Sequence, residues 1–209
     1  RGPSATAVTT GSMPPSAELP SPPRLAACSG ALLRRVIVAS SHWLGQHRAT
    51  VDALNVFPVP DGDTGKNMAM TMRAAAEAAE RVPDDTVAGV AAAAAHGALL
   101  GARGNSGVIL SQLLAGFAAS LRGMQRFDAT QMAAAFDEAS RHAYQAVTRA
   151  VEGTVLTVSR DAADAALASA RDGGDVVQAL GAAAQAARAS VARTPDLLPV
   201  LREAGVVDA

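Results

Sequence analysis

From Leu25 onward, apolar residues recur at helical spacing. Leu32, Leu33, Val36, Ile37, Ser40, Trp43 and Leu44 fall at i, i+3, i+4 and i+7 on one face, which predicts a first helix ending near Gly45. Residues 50–65, TVDALNVFPVPDGDTG, cannot continue it, because proline and glycine break the helical repeat, so a structured loop is expected there. The helical pattern resumes from Lys66 to Arg81. After Pro83-Asp84-Asp85 it runs from Thr86 to Leu100, with Asp85 or Thr86 as capping candidates. The glycine-rich string GARGN at 101–105 interrupts again before a helix from about Ser106 to Arg122. Asp128 or Thr130 opens the next, which extends to about Val151, and a turn at Gly153 separates it from Thr154 to Ala170. Gly173-Gly174 ends that helix. Asp175 to Ala192 and Asp196 to Ala204 complete the series, with Thr194 as cap and Pro195 at a favourable first-turn position of the last.

Short loops place consecutive helices antiparallel, so the pattern predicts an all-α fold of about eight antiparallel helices in an up-and-down barrel or bundle. Alternate loops then share an end. The two unusual loops follow the first and third helices and are expected to meet there, joined by the Gly153 turn after the fifth and the chain end after the seventh. Composition reinforces this picture, since alanine is by far the commonest residue and aromatics make up only 3%. Alanine is the best helix former, and small side chains let helices approach closely. Residues 1–23 are rich in Pro, Ser, Thr and Gly and are expected to form a disordered tail, leaving 24–209 as one helical domain. The tail has neither the basic start nor the apolar stretch of a signal peptide, and the lone cysteine, Cys28, fits a reducing compartment, so a cytoplasmic protein is expected. No apolar span reaches the roughly 20 residues of a membrane helix, so no integral membrane segment is expected. With 18 basic and 19 acidic side chains, the chain offers no basic footprint for nucleic acid.

The candidate chemistry lies in the two interruptions. In DGDTGKN, at 61–67, Asp61 and Asp63 flank a glycine that permits a tight turn, so two carboxylates can converge on a hard cation such as Mg²⁺. Gly65, Lys66 and Asn67 then open a helix whose unpaired N–H groups and dipole attract phosphate. Lys66 is the only lysine in the chain and could meet phosphate as a point charge. The alternative is a self-capped loop in which the aspartates satisfy backbone donors and Lys66 neutralises them. GARGNSG, at 101–107, is a second glycine-rich turn opening a helix; it adds N–H groups and the Ser106 hydroxyl, with an ordinary interhelical loop capped by Asn105 as its alternative. It is neither a Walker motif nor a dinucleotide fingerprint. The histidines are scattered, and no nucleophile, base and orienting acid assemble around Cys28 or any serine, so covalent catalysis has no support.

Four strings in order, LNVFPVPDGDTGKNM at 54–68, HGALLGARGNSGVILSQLLAGF at 96–117, VEGTVLTV at 151–158 and RTPDLLPVLREAGVVDA at 193–209, resemble the DhaL-type nucleotide-binding domain. Within that family the chain is similar to the N-terminal domain of the bacterial fatty acid kinase ATP-binding subunit. The resemblance implies ATP or ADP and two Mg²⁺ held in loops at one end of an eight-helix barrel. It implies metal contacts from Asp61 and Asp63 and, with one extra residue in the spacing, from Asn55. Thr64, Gly65, Lys66 and Asn67 match the segment that contacts phosphates, and Asn105, Ser106 and Gly107 match the second phosphate loop. Gly153, Thr154 and Val155 fall on the adenine side, and Asp208 matches an aspartate near the nucleotide. No catalytic general base is expected, because a fatty carboxylate is already an anionic nucleophile and phosphoryl transfer depends on positioning and charge neutralisation. The implied partners are a DegV-like fatty-acid-binding protein and further C-terminal domains of the same enzyme. Two other functions remain open at this stage: a dihydroxyacetone kinase L-type subunit serving a small sugar, and a nucleotide-binding regulatory module without turnover.

Overall fold

The computed structural model describes residues 24–209; the tail read as disordered, 1–23, lies outside the described residues. Eight helices follow one another: α1 Gly30–Leu54, α2 Thr64–Arg81, α3 Val87–Gly101, α4 Gly104–Ser120, α5 Ala129–Ala146, α6 Val155–Arg171, α7 Val176–Leu197 and α8 Pro199–Ala204. Each of α1 to α7 packs on its successor in the chain, and α1 also meets α3, α2 meets α4 and α5 meets α7. The expected all-α bundle is therefore the observed one. A short antiparallel pair, β1 Cys28–Ser29 with β2 Arg126–Phe127, was not anticipated, because two-residue strands are too short to show an alternating pattern. No helix among the described residues is long and apolar enough to cross a membrane.

Several helix starts follow directly from their caps. Thr86 Oγ1 accepts from Gly89 N–H at 2.9 Å, while Asp128 with Gln131 and Asp175 with Gln178 form reciprocal capping boxes at α5 and α7. Three helix ends differ from the sequence expectation. Helix α1 runs on through Gly45 to Leu54, since a glycine in a helix costs only about 1 kcal/mol and the residues after it tolerate the helical state. Its buried face also differs, being Gly30, Leu33, Ile37 and Ser41, whereas Trp43 is 62% exposed and stacks on His47. Gly30 sets that rotation: a Cβ there would lie 2.0 Å from the Asp85 carbonyl oxygen, so α1 presses its glycine edge against the α2–α3 turn.

Helix α5 stops at Ala146 rather than near Val151, because Glu152 is drawn to Arg160 of α6. Helix α7 continues past Pro195, and α8 begins instead at Pro199. Proline at 195 cannot donate to the carbonyl of Val191, but Thr194 Oγ1 does so at 2.7 Å, so the helix loses no acceptor partner there.

The core is built largely of alanine, with helices brought close where a glycine faces a backbone. A Cβ at Gly97 would meet Ala74 O at 2.4 Å, and one at Gly116 would meet Glu138 O at 2.5 Å. Phe117, Phe127 and Phe136 supply its one aromatic cluster, with Phe117 centred 6.2 Å from Phe127 and 5.8 Å from Phe136. The even-numbered turns gather at one end. There Arg34 donates to the carbonyls of Ala79, Val82 and Asp84 and pairs with Asp85 at 2.8 Å, and Val87 and Ala88 N–H groups bond to Gln125 and Met124. The odd-numbered turns are left for the other end.

Candidate functional site

At that other end lies a cavity of about 360 Å³. Its walls come from the α1–α2 loop, the first turn of α2, the first three turns of α4, the α5–α6 loop with the start of α6, and the chain end at Asp208 and Ala209. The expected meeting of the two glycine-rich loops is therefore realised, together with the Gly153 turn and the terminal segment.

The α1–α2 loop is braced from inside by Asn55. Its side chain is buried, donating from Nδ2 to the carbonyls of Val59 at 3.2 Å and Phe57 at 3.4 Å and accepting Asp63 N–H on Oδ1 at 3.2 Å. Asn55 is thus occupied in shaping the loop, with its oxygen already engaged by a donor. Asp63 occupies the cap position of α2 but makes no capping hydrogen bond with its side chain. Asp52, at the end of α1, takes that task by accepting Lys66 N–H on Oδ1 at 3.0 Å. Among the described residues neither the Asp61 nor the Asp63 carboxylate accepts a hydrogen bond or pairs with a cation, so the self-capped alternative is not the observed arrangement.

Two helix N-termini converge on the cavity. In α2, Lys66 N–H goes to Asp52 and Asn67 N–H to Asp63 O, which leaves the N–H groups of Thr64 and Gly65 without an acceptor among the described residues. In α4, Gly104 supplies the left-handed turn at φ 58°, and the first intrahelical bond is Gly107 N–H to Arg103 O. Ser106 Oγ then donates to Thr64 Oγ1 at 3.3 Å and joins the two termini. Thr64, Asn105 and Ser106 line the cavity.

Gly65, Asn67 and Gly107 do not line it and serve the packing beneath. A Cβ on Gly65 would sit 2.3 Å from Arg48 O, and one on Gly107 would sit 2.5 Å from Thr71 Oγ1. Asn67 is buried with its amide against Gly104. Lys66 is exposed and off the cavity wall.

Beyond the hydroxyls the cavity is mostly apolar, with Met68, Ile109, Leu113, Val155 and Leu156 among its lining. Thr154 caps α6 from the wall, and Gly153, at φ 81°, tucks against Thr194 O and the Leu197 and Leu198 side chains, where a Cβ would come within about 3 Å. The α5–α6 loop is held by a four-residue network. Glu152 accepts from both Arg160 nitrogens at 2.9 and 2.8 Å, from Tyr144 OH at 3.1 Å and from Thr157 Oγ1 at 2.7 Å. The Arg160 guanidinium holds the Glu152 carboxyl down at about 2, while burial pushes the Tyr144 phenol up.

Asp208 reaches the wall because Thr194 Oγ1 accepts its backbone N–H at 3.0 Å. Burial pushes its carboxyl up to about 6, and the N–H groups of Val155 and Ala209 only partly offset this. A carboxyl raised from its unfolded value near 4 holds more protons when folded. Relative to the protonated group it therefore costs nothing below about pH 4, and a penalty grows up to about pH 6 and stays constant above, so stability is lost as pH rises through that window. Asp208→Asn is expected to remove this dependence, gaining on the order of 2 kcal/mol or less over the parent at about pH 7.5 and nothing at about pH 4. Denaturant titrations at the two pH values check it; a variant weaker than the parent at the higher pH would contradict the sign.

Reading the sequence alone missed the Asn55 brace, the Asp52 cap, the Glu152–Arg160 network and the presence of Arg149 on the cavity wall. None of these carries a glycine-rich signature, and only the paired acid and base eight residues apart could have hinted at the network.

The chain is thus an all-helical bundle with two helix N-termini meeting at a mostly apolar cavity and two unspent aspartates on the loop that leads into it. This chain belongs to the DAK2-domain family, whose model matches residues 58–209, and the DAK2 domain is a kinase-related nucleotide-binding domain. It is 46% identical to Protein YloV of Bacillus subtilis over 179 residues, covering 86% of this chain and 32% of that one. It is 45% identical over 179 residues to the uncharacterised protein SSP1546 of Staphylococcus saprophyticus, with the same coverage. To the uncharacterised protein SH1689 of Staphylococcus haemolyticus it is 42% identical over 180 residues, covering 86% and 33%. The chain spans about a third of the length of the curated relatives it matches.

Proposed function

We propose that this chain is the ATP·Mg²⁺-binding domain of a cytoplasmic kinase that phosphorylates a fatty acid presented by a DegV-like acyl-binding protein, giving an acyl phosphate. One observation carries the reading: the Ser106 to Thr64 hydrogen bond of 3.3 Å, which sets the N-termini of α2 and α4 side by side at the mouth of an apolar cavity. Such termini attract polyphosphate through free N–H groups and aligned dipoles. The apolar part, toward Val155 and Leu156, is the place for a purine ring, with Gly153 and Thr154 shaping its edge and Asp208 beside it. Asp61 and Asp63 would hold the metal. Among the described residues no group of three or more His, Cys, Asp or Glu side chains is placed to bind one, so most of its shell would come from phosphate oxygens and water, the usual pattern for Mg²⁺ in phosphate sites. Bound there, the ion would neutralise charge on the transferring phosphoryl group.

In the reaction the fatty carboxylate oxygen forms a bond to the γ-phosphorus, and the bond from that phosphorus to the β,γ-bridging oxygen breaks, releasing ADP. No proton has to move, because the fatty carboxylate is already an anion. The protein's part is to bind, align and exclude water. In this reading turnover also requires segments corresponding to the remaining length of the relatives.

Calorimetric titration with ATP in Mg²⁺ and in EDTA tests the binding. Tight binding with Mg²⁺ and weak binding without it is expected; no binding in either would end the proposal. ADP release on adding an acyl-loaded DegV-like protein to the longer enzyme tests the acceptor, and release only with a dihydroxyacetone-carrying subunit would replace it.

A further inference from the structure

The cavity wall carries one cationic side chain, Arg149, in the α5–α6 loop. It is exposed and makes no hydrogen bond or ion pair among the described residues. That is unusual for its surroundings. Arg160, on the adjoining helix, spends its charge on Glu152 at 2.8 Å, and Arg193 spends its own on Asp161 at 2.8 Å. Two other cations near the helix N-termini, Lys66 and Arg103, make no ion pair among the described residues but lie off the wall. Of the acids in the segments that meet at this end, Asp208 lines the cavity, while Asp61 and Asp63 lie on the α1–α2 loop off its lining. A polyphosphate seated in the cavity would share its wall with the Asp208 carboxyl and the Arg149 guanidinium. Arg149 is thus the cation that the fold sets on the wall itself.

The backbone that carries Arg149 is fixed while its side chain is free. Three residues later Glu152 is locked to Arg160, Tyr144 and Thr157, and Gly153 is packed against the end of α7. An arginine on such a mount can swing over the cavity and close on phosphate oxygens through two parallel N–H bonds, a geometry that suits guanidinium better than ammonium. We propose that Arg149 is a phosphate-contacting residue of the nucleotide site, reaching the polyphosphate across the cavity from Thr64 and Ser106. The inference rests on the nucleotide reading above.

The test compares ATP with adenosine, both in Mg²⁺, on the unaltered chain and on Arg149→Gln and Arg149→Lys. Because Arg149 is exposed and unpaired, both variants are expected to melt like the parent. Arg149→Gln is expected to weaken ATP by about ten- to a hundredfold, the range for a charge-assisted contact, while adenosine binding changes less than about twofold. Arg149→Lys is expected to recover part of the loss. The dependence of ATP affinity on salt is expected to flatten in Arg149→Gln. If Arg149→Gln binds ATP as the parent does, or loses adenosine by the same factor, the assignment is wrong. An unaltered chain that binds adenosine and ATP equally also overturns it, whereas one that binds neither removes the nucleotide reading itself.

Discussion

Replacing Asp61 and Asp63 together by alanine is expected to lower ATP affinity in Mg²⁺ by at least about tenfold, to the level that the parent shows in EDTA. The reason is that neither carboxylate has other work. Among the described residues Asp63 does not cap α2, Asp52 does, and the loop is braced by Asn55 through the Asp63 backbone rather than its side chain. The double variant should therefore keep the parent's melting temperature and lose only the metal-dependent part of binding. Calorimetry with and without Mg²⁺ checks this. Equal affinity in variant and parent would show that the two aspartates hold no metal, and a large fall in melting temperature would show instead that they hold the loop.

The second large effect is steric. Gly65→Ala places a methyl group where the Arg48 carbonyl oxygen is 2.3 Å away and the Val51 Cβ 3.0 Å away. Both belong to α1, and backbone cannot give way as the tip of a side chain can. Overpacking of this kind costs about 1–3 kcal/mol or more, which for a chain of this size lowers the melting temperature by roughly 2–4 °C per kcal/mol. The variant must either unseat α2 from α1 or shift the first turn of α2, so Asp63 and Thr64 move with it and ATP affinity is expected to fall as well. Gly45→Ala is the matched control: it too is a helical glycine of this region, but a Cβ there meets nothing within 4 Å. That substitution is expected to gain about 0.5–1 kcal/mol. Thermal melts of the pair decide the matter, and equal melting temperatures would refute the close approach.

Helix starts were legible in the sequence wherever a capping side chain announces them. Thr86, Asp128, Thr154 and Asp175 all stand at N-caps, and three of these helices begin one residue later than the cap-inclusive spans expected. Helix ends were less so, since they depend on distant partners. Gly45 reads as a stop until α1 is seen to continue beside α2, and Pro195 reads as a start until Thr194 is seen to take the orphaned carbonyl. Trp43 shares the apolar period of α1 with Leu33 and Ile37, yet the close contact of Gly30 with the Asp85 carbonyl rotates the helix so that those two are buried and Trp43 is exposed.

The candidate site shows the same division. Its glycines, aspartates and hydroxyls are concentrated in two short strings and could be read directly, along with the end of the bundle at which they would meet. The roles of Asn55, Asp52 and Arg149 could not, because each is set by where a neighbouring element ends rather than by local spacing.

The Thr194 hydroxyl gives the cavity an unusual reach along the chain. By accepting Asp208 N–H while donating to Val191 O, it brings the last residues to a wall that begins with Phe57. A molecule resting in that cavity touches groups separated by most of the domain, so it acts as a stitch through the whole tertiary structure. Partial unravelling of any segment on its wall would open the cavity, and occupancy would then be a report on the joint integrity of the segments that meet there. Ligand concentration becomes a control on cooperativity, because whatever binds only the intact arrangement adds its binding free energy to all of it together.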